Sequence, residues 1–85
     1  MPKFKVTKTS KRETDFILYG NSLEGQIKKG MEIYVPLNNF LQLTGVITEI
    51  KHDNQQVVIA VECSDIKEAD FWETLNLKDE VLLIK

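Results

Sequence analysis

The segment from Gly25 to Pro36 constrains the fold more than any other part of the chain. Gly25-Gln26-Ile27-Lys28-Lys29-Gly30 sets one apolar anchor, Ile27, between two glycines, and Met31-Glu32-Ile33-Tyr34-Val35 then alternates apolar and polar positions up to Pro36. A period of two belongs to a strand that rests one face on a core, here the face of Met31, Ile33 and Val35. Gly30 is expected to supply the positive φ of a tight turn into that strand. Proline cannot donate to a sheet ladder, so Pro36 is read as the strand end.

Other segments repeat the pattern. Phe4-Lys5-Val6-Thr7 alternates as a first strand, and the polar stretch Lys8 to Thr14 is read as a loop. Asp15 to Gly20, with Phe16-Ile17-Leu18-Tyr19, reads as a second strand closed by the turn residues Gly20-Asn21-Ser22. Asn38-Asn39 signals a loop that carries Phe40. Leu43 to Ile50 reads as a longer strand in which Gly45 and the adjacent Val46-Ile47 suggest a bulge or barrel corner. His52-Asp53-Asn54-Gln55 marks a hairpin turn into Gln56 to Glu62. In that last run Val57, Ile59 and Val61 share one face while Val58 and Ala60 make the other apolar as well, so the strand is expected to be central or covered on both sides.

The period changes once. Over Asp65 to Asn76 the residues Ile66, Ala69, Trp72 and Leu75 recur every third position, behind Asp65 or Ser64 as a cap, with Glu68 three residues after Asp65 as in a capping box. One helix of about three turns is expected, with Asp65, Glu68, Asp70, Glu73 and Lys67 on a solvated surface and Trp72 as core or barrel plug. Val81 to Ile84 is read as a closing strand. Residues 1–85 are expected to form one mainly β domain, a small closed antiparallel β-barrel with one short helix near residues 65–76. A chain of 85 residues has little apolar surface to spare for a deep enclosed pocket.

Phe16 to Gly20, the Gly25 to Val35 segment and Val46-Ile47-Thr48-Glu49-Ile50 together resemble the second, β-barrel domain of translational GTPases. The likeness spans nearly the whole chain. It implies a small, closed, mainly antiparallel barrel, standing alone without the GTPase half. Asn21-Ser22-Leu23-Glu24 and the Asp65–Asn76 helix depart from the family pattern. A phosphate-binding loop needs glycine-rich backbone followed by Lys and a hydroxyl residue, and Gly25 to Met31 has neither that spacing nor the hydroxyl. No nucleotide hydrolysis is expected.

Chemistry-bearing residues are sparse. His52 is the single histidine and Cys63 the single cysteine, so an internal disulfide and a CxxC zinc or redox site are excluded. His52 is read as a solvated turn residue. Cys63 is read as a small buried apolar group in preference to half of a Cys–His dyad. No cofactor is expected, and no enzymatic activity. The N-terminal residues carry lysines without an apolar stretch behind them, so neither a signal peptide nor a transmembrane span is expected, and a reducing, cytoplasmic compartment fits best.

Net charge is −2, but residues 1–32 hold seven Lys/Arg against four Asp/Glu, and residues 33–85 hold four against nine. That asymmetry allows a basic and an acidic face. The densest basic stretch is Lys3, Lys5, Lys8, Lys11 and Arg12. Lys3 and Lys5 share a strand face and can either track a phosphate backbone or serve as edge-strand charges that deter aggregation, the reading preferred here. Nucleic-acid binding is then at most weak and nonspecific. Phe40, in a loop, is the aromatic least easily buried and the remaining candidate contact residue. Lys3, Lys5, Lys11, Arg12 and Phe40 are the candidate partner-binding residues. The function expected is a non-catalytic binding module for a protein or ribonucleoprotein partner; the alternative is a structural or oligomerising subunit.

Overall fold

The computed structural model describes residues 2–37, 40–53 and 56–85. Strand β1 covers Lys3–Arg12, β2 Asp15–Glu24, β3 Glu32–Pro36, β4 Gln42–Asp53 and β5 Gln56–Glu62; helix α1 covers Ile66–Thr74 and β6 Val81–Ile84. The strands close into an antiparallel barrel in the order β1-β2-β5-β4-β3-β6, with β6 returning to β1. This is the mainly β, closed barrel with one short helix that the sequence leads one to expect. Closure pairs both edges of the sheet, which a small open sheet would leave bare.

The core follows from the alternation. Phe4 and Val6, Phe16 and Leu18, Ile33 and Val35, Ile59 and Val61, and Leu82 and Ile84 are buried at every second position of their strands. Gly30 has φ 96°, the left-handed turn expected ahead of β3. Helix α1 covers one mouth of the barrel beside β1 and β2. Asp65 caps it by accepting from the Glu68 N–H at 2.8 Å, and the Glu68 carboxylate in turn accepts from the Ser64 N–H at 3.0 Å and from the Ser64 hydroxyl. Trp72, fully buried, plugs that mouth with its ring centroid 5.7 Å from that of Phe16.

Several boundaries differ from the sequence reading. The polar stretch after Thr7 is not a loop: β1 runs on to Arg12, paired with β2 throughout, and only Glu13 and Thr14 form the turn. A register shift between Val6 and Lys8 breaks the alternation there, so the period-two signal is lost although the strand continues. Gly20-Asn21-Ser22 is likewise strand, and β2 ends at Glu24, opposite Lys3. The irregularity of β4 lies between Ile47 and Glu49 and not at Gly45. Gly45 instead makes room for the plug, since a Cβ there would stand 2.8 Å from Trp72 Cζ2 and 2.3 Å from Val61 Cγ1. His52 and Asp53 belong to β4, opposite Val57 and Gln56, and not to a turn. Asn38-Asn39 and Asn54-Gln55 lie outside the described residues. Ile66 keeps the helical spacing but is 60% exposed, because it sits in the first turn of α1, beyond the barrel mouth that Ala69 and Trp72 face.

The β3–β6 seam is the shortest contact between neighbouring strands. Ile33 pairs with Ile84 and Tyr34 with Leu83, and Glu32 and Lys85 exchange backbone hydrogen bonds of 2.7 and 2.9 Å. The ladder goes no further because the next residue aimed at β6 is Pro36, which has no N–H. Below it the strands part, and Val35, Leu37, Leu75, Leu77 and Leu82 line a groove of about 290 Å³.

Candidate functional site

The outside of the barrel should be polar, and over most of the wall it is. Apolar side chains stand exposed at Val46 of β4 and at Val81 and Leu83 of β6, and a further group, largely covered, lies where β5 runs between β2 and β4. Ile17 pairs with Ala60, and Tyr19 with Val58; these side chains project outward, opposite in phase to Phe16, Leu18, Ile59 and Val61. Ile17 is only 6% and Ala60 3% exposed, yet neither belongs to the core cluster. Long side chains from the flanking strands roof them, since Lys and Arg stems cover apolar surface while their charged ends stay in water.

Antiparallel register arranges this face in rows across the strands. One row runs Ser10, Ile17, Ala60, Glu49, and the next runs Lys8, Tyr19, Val58, Lys51. The result is a shallow groove of about 340 Å³ with an apolar floor and ionic walls. Arg12 closes one end, with Nη2 3.1 Å from Asp15 and 3.6 Å from Glu49. Its guanidinium is held above its ordinary pKa by the hydrogen bond to Asp15, with the Asp15 and Glu49 charges adding. At the other end the Lys8 ammonium lies 5.3 Å from the centroid of the Tyr19 ring, within cation–π range. Among the described residues no carboxylate stands within ion-pair distance of Lys8 or Lys51.

The five residues singled out in the sequence do not form one site. Lys3 and Lys5 do share the outer face of β1, but Lys3 stands 3.6 Å from Glu24 and opposite Leu83, and Lys5 lies between Asn21 and Val81. Six residues of strand separate Lys5 from Lys11, roughly 20 Å. Lys11 is opposite the inward Phe16 and pairs with Asp70 of α1, whose hydrogen bond holds the ammonium above its ordinary pKa. Of the five, Lys11 and Arg12 line the groove. Phe40, 93% exposed, stands with Leu41 and Leu37 at the end of the β3–β4 hairpin, where the Leu37 N–H donates to the Leu41 carbonyl at 2.9 Å. The sequence reading missed Tyr19, Lys51 and Glu49. The usable signal was the second apolar face of Val58 and Ala60, which pointed to a covered outer surface.

Cys63 is buried, and burial pushes its thiol up to about 11, helped by the charges of Glu68, Asp15, Asp65 and Glu62. Such a thiol stays protonated and unreactive at neutral pH. Among the described residues there is no group of three His, Cys, Asp or Glu side chains placed to hold a metal ion, and no helix long and apolar enough to cross a membrane. No protein-family model, curated protein or solved structure matches the chain.

Proposed function

We propose that this domain is a non-catalytic module that binds a protein partner, alone or within a ribonucleoprotein, through the outer face of β1, β2, β5 and β4. The observation that carries this reading is the outward apolar floor of Ile17, Val58 and Ala60 between ionic walls. Interfaces centre on such a patch, apolar at its middle and polar at its rim, with Tyr and Arg favoured as anchors. Tyr19 and Arg12 occupy those places. The likeness to the second domain of translational GTPases belongs to this proposal, and the Gly25–Gly30 turn ahead of β3 supports it. A reducing, cytoplasmic setting belongs to it too.

The test is capture from a lysate of the source cells by the tagged chain, with and without nuclease. A protein should be retained by the wild type after nuclease treatment and lost by Arg12→Glu/Lys51→Glu, while Phe40→Ser retains it. Retention that nuclease abolishes, or that ignores the charge reversal, would overturn the proposal. A second reading, an oligomerising subunit, is supported by a separate surface, the exposed Leu37, Phe40 and Leu41 beside the β3–β6 groove. Sedimentation of wild type and Phe40→Ser across a wide concentration range tests it, a dimer lost in the variant being the supporting result.

A further inference from the structure

From the row Lys8, Tyr19, Val58, Lys51 we infer that the partner element seated here is an extended polypeptide segment of pattern acidic–x–apolar–x–acidic, lying across the strands. The inference rests on the proposed use of this face and adds the chemistry of what it holds.

The spacing carries the argument. Lys8, Tyr19, Val58 and Lys51 stand on four adjacent strands, in register. Neighbouring strands are about 4.8 Å apart, so the two lysine backbones are separated by roughly 14 Å. In an extended segment, residues i and i+4 are about 13 Å apart and point the same way, with i+2 midway between them on the same face. A carboxylate at i then meets Lys8, a carboxylate at i+4 meets Lys51, and the side chain at i+2 enters between Tyr19 and Val58, over the floor that Ile17 and Ala60 extend. Neither of the two cations at the ends is paired with a carboxylate among the described residues. Lys8 is also poised by its contact with the Tyr19 ring.

Charge decides against a continuous polyanion on the same face. Glu49 lies one row away, and Asp15 and Glu62 pair with each other across β2 and β5 one row beyond it. A phosphate backbone running along the groove would meet these three carboxylates, whereas two discrete carboxylates at the ends of one row meet only lysines.

The full-length chain, 15N-labelled, is titrated with the capped peptide Ser-Glu-Ser-Leu-Ser-Glu-Ser and followed by amide shifts. Weak, saturable binding should move Lys8, Tyr19, Val58 and Lys51. Replacing both peptide glutamates by glutamine should weaken binding about tenfold, as should Lys8→Glu/Lys51→Glu, since each exposed ion pair contributes a small factor. Equal binding of the glutamine peptide, shifts confined to other faces, or tighter binding of an oligothymidylate to this row would each overturn the inference. Should Arg12→Glu/Lys51→Glu abolish nuclease-resistant capture while the peptide leaves the row unmoved, the face stands as a docking surface and the acidic pattern falls. Should the peptide bind as described while capture ignores the charge reversal, the pattern stands and the broader proposal falls.

Discussion

At Gly30 the cost of a side chain comes from the backbone alone, because φ is 96° and nothing lies within 4 Å of where a Cβ would be. Gly30→Ala should therefore lower stability by about 1 kcal/mol and Gly30→Val by about 1–3 kcal/mol in chemical denaturation. Equal stability of wild type and Gly30→Val would show that the turn adapts without a left-handed residue. Cys63 gives a pH test. Its folded-state pKa, about 11, stands above the ordinary value of 9.0. The protonated thiol thus favours the folded state, and this contribution is complete below pH 9 and lost as pH rises from 9 to about 11. The unfolding free energy from urea titrations across that window should fall by up to about 2 kcal/mol more in the wild type than in Cys63→Ala. Parallel pH profiles for the two proteins would remove Cys63 from the account.

Helix α1 matters to the barrel chiefly through its plug. Trp72→Ala should cost about 3–5 kcal/mol by opening a cavity at the barrel mouth. Trp72→Phe should cost distinctly less, because it also removes the indole N–H, which is buried with no acceptor among the described residues. Gly45→Ala attacks the same contact from β4 and should cost about 1–3 kcal/mol by overpacking against Trp72 and Val61. Thermal melts of the three variants rank these effects, and a Gly45→Ala melt matching wild type would show that the plug can shift. Trp72 was legible as core or plug from spacing, since only one segment of the chain takes up a helical period. The strands with clean alternation, such as Glu32–Pro36, were legible as well. The far halves of β1 and β2 were not: the shifts in the β1–β2 register interrupt the alternation, and Asn21, Ser22 and Lys8 to Arg12 are polar because they form barrel wall open to water. The groove was half legible. Apolar residues on both faces of β5 announced a cover, but which cations supply it depends on β4 and β1 lying two strands apart with β5 and β2 between them, and that order is a property of the closed sheet.

Over the whole molecule barrel closure sets acids of the second sequence half against cations of the first, at Lys11–Asp70 and Arg12–Glu49, while the Lys3–Glu24 and Arg12–Asp15 pairs lie within the first half. Of the five N-terminal cations only Lys5 and Lys8 lack a carboxylate within ion-pair distance among the described residues. Two phosphate contacts on a single strand give a log-affinity against log-salt slope of roughly −1.4. Anisotropy with labelled single-stranded RNA should yield weak binding with a slope no steeper than about −2, and a slope near −4 would mean that the ion pairs open to the ligand. The four residues of β6 hold together both β1 and β3, through Ile84 donating to the Pro2 carbonyl at 3.0 Å on one side and the short pairing cut off by Pro36 on the other. Amides of β6 should exchange with solvent faster than those at the centre of β5, which is laddered on both sides along its length. Whenever β6 peels away, one event bares the edges of β1 and β3 and frees the strand that lies between them. Two molecules caught in that state can trade staves, each barrel closed by the other's last strand, and the length of this one strand therefore sets how readily the fold passes from self-sealing to strand exchange.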